Sequence, residues 1–395
     1  MPLRSRRRTA PPDQVTASDW AAQLRAAGYT SETLKRLLHV SVPDDVGWLN
    51  HAPALERLRG DRSAAATLVR LLFLETGEAA GAVTTALSRR ACEAWITAAA
   101  LRRQGATICA RVRVEAVGDL YFMADRRFLG PDPGALRLGG GDPVYPPSSD
   151  SLLLRDALAL PPGGRVLDLC TGSGIQALRG AATAQQVVAV DINPRAAAMA
   201  RLNAQLNGVG NVEVRVGNLY APVAGESFDA IVANPPFVSS PYATGPSYHS
   251  GGPTGDRVLR RILAGLRHHL RPGGRAFAVS HVALRRGEQL EAVAAAWFRD
   301  FPGRALVLVC ESGSAVDLAA AQALFALRRG FAAYAAEVAR WMLYLRRQRI
   351  ETVSLVLIAA QHAGPVGVEV VDAQVRVLPI PLSAAPADRL RAWLA

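Results

Sequence analysis

The chain has 395 residues, half of them hydrophobic and a fifth charged, which is the balance of an ordinary globular protein. This length exceeds one ordinary hydrophobic core and predicts two domains. The formal net charge of +12 suggests a nucleic-acid partner. Lys35 is the only lysine, however, and an arginine- and alanine-rich composition is also typical of a GC-rich genome. Composition therefore leaves a nucleic-acid partner open.

Several classes of protein are disfavoured by the sequence. No apolar run is long enough to cross a bilayer, so we expect no membrane partner. Residues 1–14 are basic without a following hydrophobic stretch, which predicts a disordered tail rather than a secretory signal. The four cysteines form no CxxC pair: Cys92, Cys109, Cys170 and Cys310. This spacing predicts reduced thiols in a cytoplasmic protein and no metal site, and it predicts nothing about oligomeric state.

The sequence of residues 15–125 predicts an N-terminal domain of short helices. The first helix is expected at 19–28, with Ser18 or Asp19 as its cap. Three further segments have apolar residues at helical spacing: 31–40, 64–75 and 88–105.

The hydrophobic period changes to alternation in 107–125, on either side of Gly118 and Asp119. This pattern is typical of a β-hairpin. Helices closed by a hairpin resemble a winged-helix module. Such a module either packs against the next domain and orients a substrate, or reads a nucleic-acid groove.

Residues 126–150 are rich in Gly and Pro and predict a linker that closes over a ligand. In 151–395, short apolar strands alternate with helices, which predicts an α/β, Rossmann-like, doubly wound and mostly parallel sheet of seven strands. The predicted strands are 165–169, 187–191, 212–216, 228–233, 275–280, 305–310 and 352–360. The predicted helices are 175–184, 194–207, 254–270, 287–300 and 315–349.

The stretch RVLDLCTGSGIQAL reads as a strand, a glycine turn and the start of a helix. Gly172 and Gly174 allow the backbone to approach a ligand, and the following helix presents free amide groups. Asp168 lies at the end of this strand, and Asp191 ends the next one, where nucleoside-binding sheets hold a ribose diol. The charge of Asp168 disfavours a pyrophosphate and suits a cationic amino group, such as that of S-adenosylmethionine.

DLCTGSG followed by VDINP resembles the first two motifs of class I S-adenosylmethionine-dependent methyltransferases. The resemblance implies a set of cofactor-binding residues. These are Asp168, Gly172 and Gly174 at the methionine part, Asp191 at the ribose and Ile192 at the adenine face. Such families often have an acid where this chain has Asn218, whose side-chain carbonyl can still accept a bond from the adenine amino group.

The stretch FDAIVANPPF is a strand that stops at Asn234 and two prolines. In a doubly wound sheet this strand end faces the same crevice as the two acids. The Asn234 side-chain carbonyl and the Pro235 backbone carbonyl can hold the two N–H bonds of a planar nitrogen and aim it at a methyl group. Phe237 offers a face on which the planar group can stack.

NPPF resembles the NPP-aromatic motif of methyltransferases that act on planar nitrogen, namely release-factor glutamine, adenine amino and ribosomal guanine methyltransferases. VYPPSSDSLLL, residues 144–154, resembles the segment upstream of the glycine motif in the glutamine enzymes. There it implies that Tyr145, Asp150 and Ser151 close over the cofactor. SGGPTGDRVLRRIL is similar to a glycine-rich turn of both the glutamine and the ribosomal enzymes.

The resemblance implies an N-methyltransferase acting on an amide or exocyclic amino nitrogen of a protein or nucleic acid. The residues also leave open a small biosynthetic acceptor, or another use of the cofactor such as cyclisation of its aminobutyryl arm. A third interpretation is a nucleic-acid-binding regulator that senses a nucleoside. The stiff NPPF corner, residues 234–237, favours catalysis instead. The following loop carries Tyr242, Tyr248 and His249, and we interpret His249 as a surface residue rather than a base.

Overall fold

The computed structural model describes residues 17–132, 134–242, 251–363, 366–372 and 385–394. The tail predicted at 1–14 lies outside the described residues. Within the described ranges, no helix combines the length and the apolar character that a membrane span requires.

The N-terminal part is a set of short helices and strands. Its helices are α1 (Ala17–Ala26), α2 (Ser31–Leu38), α3 (His51–Arg57), α4 (Ala64–Leu68), α5 (Ala80–Leu87) and α6 (Arg89–Thr97). Its strands are β1 (Glu78–Ala79), β2 (Leu101–Gln104), β3 (Thr107–Ala110), β4 (Arg113–Val117) and β5 (Leu120–Ala124). The first three strands form one small sheet, and β4 and β5 form the predicted hairpin around Gly118. Whether this part is a winged-helix domain stays a prediction.

Two N-terminal predictions about helix boundaries are wrong. Helix α1 begins at Ala17, so Ser18 and Asp19 lie within it rather than before it. The helix predicted at 88–105 ends at Thr97. The residues beyond it form β2, because pairing with β3 satisfies their backbone groups in a sheet.

The second part is an eight-stranded sheet. Its strands are β6 (Arg165–Leu169), β7 (Gln186–Asp191), β8 (Val212–Val216), β9 (Phe228–Ala233), β10 (Leu270–Arg285), β11 (Arg304–Ser314), β12 (Ile350–Gln361) and β13 (Gly367–Asp372). Among the described strands the order is β13-β11-β12-β10-β9-β6-β7-β8, in which β12 is antiparallel to both of its neighbours and the other neighbouring pairs are parallel. The Rossmann-like fold class and all seven predicted strands are confirmed. The predicted count is one too low, because β13 is added at the edge, where it pairs with β11 alone.

Helices cover both faces of this sheet. They are α7 (Ser149–Ala157), α8 (Ile175–Ala181), α9 (Pro194–Leu206), α10 (Arg257–His269), α11 (Leu290–Trp297), α12 (Ala315–Ala323), α13 (Phe331–Arg347) and α14 (Ala385–Leu394). Alternate strand residues face opposite sides. Val187 and Ala189 join the core under α7, α8, α9 and α14, whereas Val188 and Val190 join the core under α10 and α11.

The N-terminal hairpin docks on α9 through two asparagines, the buried Asn203 within the helix and the half-buried Asn207 just after it. Asn203 is fully buried; its Oδ1 accepts from the Met123 backbone N–H at 2.8 Å, and its Nδ2 donates to the Met123 carbonyl at 2.9 Å. The same Nδ2 donates to the Ser173 carbonyl at 2.8 Å, inside the glycine turn. Asn207 bonds both backbone groups of Tyr121 in the same way. One helix therefore ties the N-terminal part to the glycine turn.

Candidate active site

Three strands end together at one edge of the sheet. Leu169 pairs with Val190 on one side and with Ala233 on the other. Asp191 and Asn234, the residues that follow these partners, therefore lie at the same level. The chain runs from β6 outward to β8 and then returns to β9, so the strand order reverses between β6 and β9. Ligands of doubly wound sheets bind at such a reversal.

The two predicted glycines of the turn have different surroundings. Gly172 has a φ of +56°, and an added Cβ would meet nothing within 4 Å, so the turn is open on that side. Gly174 has a φ of +90°, and its Cβ would lie 3.3 Å from the side chains of Ala200 and Leu178. Gly174 lets α8 and α9 pack closely, and its role at the cofactor stays a prediction.

Asp168 is a buried carboxyl group beside this turn, only 1% exposed. The Thr171 hydroxyl donates to its Oδ2 at 2.5 Å, and its Oδ1 has no hydrogen-bond partner among the described residues. Burial raises the pKa of Asp168 to about 7, and the Thr171 hydroxyl and the Ala177 backbone lower it by less. A buried acid with an unused oxygen is stabilised in its charged form by a cationic group.

Asp191 accepts two backbone hydrogen bonds. Its Oδ2 accepts from the Gly172 N–H and its Oδ1 from the Asn193 N–H, both at 2.9 Å. Burial raises the pKa of Asp191, and these bonds lower it by less. Each oxygen retains a lone pair that a hydroxyl can use. Ile192, which follows, is 57% exposed and offers an apolar face beside the acid.

Three other residues predicted to bind the cofactor have the following surroundings. Asn218 is exposed just beyond β8. Tyr145 lies in the linker, 42% exposed, with the Arg127 guanidinium 5.8 Å from its ring centre. Ser151 lies in the first turn of α7, where its Oγ accepts the Ser148 N–H at 3.0 Å and so caps the helix. Their roles at the cofactor stay predictions.

The Asn234 side chain is held by a carboxylate. Its Nδ2 donates to Oδ2 of Asp150 at 2.7 Å, and the other oxygen of Asp150 accepts from the Ser148 hydroxyl. Because an ionised carboxylate only accepts hydrogen bonds, this contact fixes which way the amide faces and leaves Asn234 Oδ1 as the acceptor for a ligand. The resemblance implies that Asp150 closes over the cofactor, which stays a prediction, and its contact with Asn234 is a feature that the sequence did not indicate.

A glycine-rich turn packs against the NPPF corner. A Cβ on Gly251 would lie 2.7 Å from the Cα of Phe237, and one on Gly255 would lie 2.3 Å from the Phe237 carbonyl oxygen. Pro235 is buried. Only glycine fits at these two positions, so the turn and the prolines together make the corner rigid.

The helical segment between β11 and β12 forms a wall beside the corner. Trp341 and Leu345 of α13 are buried in a cluster with Val238. The Tyr242 hydroxyl donates to Glu337, which also accepts from Trp341 Nε1 at 3.0 Å. The amphipathic sequence of α13 predicted packing but did not indicate this location. Tyr248 and His249 lie outside the described residues.

His281 on β10 is a second residue that sequence reasoning missed. Its ring centre lies 4.5 Å from that of Phe237, at an interplanar angle of 39°. Its Nδ1 is shielded from solvent and has no hydrogen-bond partner in the described part of the chain. The sequence offered little signal, because RAFAVSHVAL reads as an ordinary buried strand.

These features fit S-adenosylmethionine. The unused oxygen of Asp168 suits the amino group, the open side of Gly172 leaves room for close approach, and the carboxylate of Asp191 suits the ribose hydroxyls. The exposed side chain of Ile192 suits the adenine face. No residue in this group opposes a cationic nucleoside.

A comparison with protein families matches residues 148–297 to the methyltransferase small domain. A release factor glutamine methyltransferase of Xylella fastidiosa is 42% identical over 28% of this chain and 44% of its own length. A Methanocaldococcus jannaschii protein named for N5-glutamine methyltransferase activity is 36% identical over 33% of this chain and 68% of its own length. A ribosomal protein L11 methyltransferase of Symbiobacterium thermophilum is 37% identical over 34% of this chain and 38% of its own length.

The fold and the strand-end site thus define a Rossmann-like methyltransferase domain whose cofactor is S-adenosylmethionine. The chain belongs to the methyltransferase small domain family. It spans 44% of the length of the Xylella fastidiosa relative.

Proposed function

We propose that the protein is an S-adenosylmethionine-dependent N-methyltransferase that acts on a planar amide or exocyclic amino nitrogen of a macromolecule. One observation carries this proposal. The Asp150 contact turns the Asn234 amide so that its oxygen is the available acceptor, at the strand-end edge that also holds Asp168 and Asp191.

The cofactor supplies an electrophilic methyl group on a sulfonium. Asp168 would hold its amino group and Asp191 its ribose, which fixes the position of the methyl group relative to the corner. No metal or covalent intermediate is needed for a displacement of this kind.

The corner acts on the acceptor. The lone pair of an amide or exocyclic amine is delocalised, so such a nitrogen is a weak nucleophile that must be aimed well. Asn234 Oδ1 and the Pro235 carbonyl oxygen accept hydrogen bonds from its two N–H groups, and Phe237 packs against the planar group. The displacement then forms the N–C bond, breaks the C–S bond and leaves the bonding pair on sulfur.

The named relatives support a macromolecular acceptor. Two carry glutamine methyltransferase in their names and one carries ribosomal protein L11 methyltransferase. The wall formed by α12 and α13 lies beside the corner of this chain and would help to select the acceptor. The N-terminal part would orient it.

Transfer of labelled methyl groups tests the proposal. The full chain is incubated with methyl-labelled S-adenosylmethionine and a cell extract, which is then split into protein, RNA and metabolite fractions. We expect label in the protein or RNA fraction, and excess S-adenosylhomocysteine should suppress it. Label confined to metabolites would contradict a macromolecular acceptor, and no label in any fraction would contradict the transferase.

A further inference from the structure

Methylation of an amide or amine nitrogen leaves one proton too many on that nitrogen. The N-methylated cation is a strong acid, and its proton must leave for the neutral product to form. The carbonyl oxygens of Asn234 and Pro235 hold N–H groups but are too weakly basic to keep a proton at neutral pH. These two oxygens therefore cannot act as the base.

His281 is a basic side chain next to the corner. Strand β10 runs parallel to β9 with Ala278 opposite Ala233, so His281 lies just past the level of Asn234 at the same sheet edge. Its ring packs against Phe237, and its antiparallel partner on β12 is the apolar Leu355.

The ring carries an unused acceptor. Nδ1 is shielded from solvent and has no hydrogen-bond partner among the described residues. An unpaired buried N–H is less favourable than an unpaired lone pair, so the neutral ring should carry its proton on Nε2 and present a lone pair at Nδ1.

Among the described residues, Asp150 is the charged group that acts on this ring. Burial lowers the pKa of His281 from its ordinary value, and the opposing influence comes from Asp150 on α7. The ring is therefore neutral near neutral pH and able to accept a proton. Asp150, which bonds Asn234, would also stabilise the imidazolium that forms.

We propose that His281 is a catalytic base: as the new N–C bond forms, one of the two N–H protons of the acceptor nitrogen leaves its hydrogen bond to a carbonyl of the corner and passes to His281 Nδ1. The pair of electrons of the broken N–H bond returns to nitrogen, and the imidazolium later releases its proton to solvent. This inference rests on the proposed function and adds a residue to it.

Two substitutions separate chemistry from packing. His281→Phe keeps a ring against Phe237 but removes the base, and His281→Ala opens a space that free imidazole can enter. Single-turnover methyl transfer is measured at saturating S-adenosylmethionine, with the extract fraction that accepts label from the unmodified enzyme as the acceptor. We expect both variants to be slower by about 10²-fold, and imidazole to restore part of the rate of His281→Ala only.

The pH profile gives a further readout. The wild-type rate should fall as pH drops through the lowered pKa of His281, and His281→Phe should lose this limb. A His281→Phe enzyme with the wild-type rate and profile would overturn the proposal.

Nitrogen NMR of the imidazole provides a readout that does not depend on activity. The full chain with S-adenosylhomocysteine should show the Nε2–H form of His281, and an Nδ1–H form would overturn the proposal. Failure of the wild-type chain to bind S-adenosylhomocysteine would instead overturn the proposed function.

Discussion

Asp168 links cofactor affinity to pH at the scale of a single residue. Burial raises its pKa to about 7, so the free protein holds it partly protonated near neutral pH. A cationic amino group binds the ionised form. We expect S-adenosylmethionine affinity to rise as pH increases from about 5.5 to about 7.5 and to level off above this range.

Asp168→Asn is the matched variant for this prediction. It should bind the cofactor more weakly and with a flat pH dependence over the same range, as measured by calorimetry. The raised pKa also implies that ionised Asp168 destabilises the free fold as pH rises from about 4 to about 7, so the variant should lose less stability over that interval. Equal pH dependence of affinity in both proteins would contradict this role.

Asp150 is predicted to act on transfer through Asn234. Asp150→Ala removes the acceptor of Asn234 Nδ2 and lets the amide turn, so we expect the transfer rate to fall by about 10²-fold. Asp150→Asn can still accept that bond through its own carbonyl, so it should lose less of the rate than Asp150→Ala although it removes the charge that faces His281. The comparison is made with labelled cofactor at saturation. Equally slow transfer in the two variants would contradict the orienting role of this hydrogen bond.

At the scale of elements, α9 joins the hairpin to the glycine turn. Asn203→Ala leaves the buried N–H and carbonyl of Met123 and the carbonyl of Ser173 without this partner, which should cost about 2–4 kcal/mol of unfolding free energy. Asn207→Ala is the control, because Asn207 is only half-buried and water can replace its bonds. Urea unfolding measures the difference.

The same pair of variants tests whether this helix supports the cofactor turn. Asn203 contacts the Ser173 carbonyl, whereas Asn207 contacts only the hairpin and its own helix. Cofactor affinity should therefore fall in Asn203→Ala and not in Asn207→Ala. Equal affinities would show that the turn holds its shape without Asn203.

The sequence predicted the central strands because their apolar runs and flanking turns are local features. It missed β13, because GVEVVD is a short edge segment whose two acids resemble a surface turn. It placed Asn234 and Asp191 at one edge through the general rule for strand ends, but it could not pair Asn234 with Asp150. That bond joins residues 84 positions apart and depends on how α7 packs.

At the scale of the whole molecule, an ion pair and several hydrogen bonds connect the N-terminal part to the linker and to the start of α7. Asp44 pairs with Arg127 of the linker and accepts the Ser149 N–H at 2.9 Å. Glu75 accepts the backbone N–H groups of Phe128 and Leu129, each at 2.8 Å. The helix that presents Asp150 is thus held from both parts of the chain. The domain boundaries themselves stay a proposal.

The net charge of +12 bears on the alternative of a nucleic-acid-binding regulator. Such a protein should bind DNA with an affinity that falls steeply with salt, and it should be indifferent to changes at the corner. A methyltransferase should instead lose its activity at the corner whatever its affinity for polyanions.

Asn234→Ala tests the central claim most directly. Calorimetric titration with S-adenosylhomocysteine should give the affinity of the unmodified chain, because Asn234 acts on the acceptor, while transfer of labelled methyl groups should fall to background. Equal loss of cofactor binding and transfer, or transfer at the wild-type rate, would contradict the account.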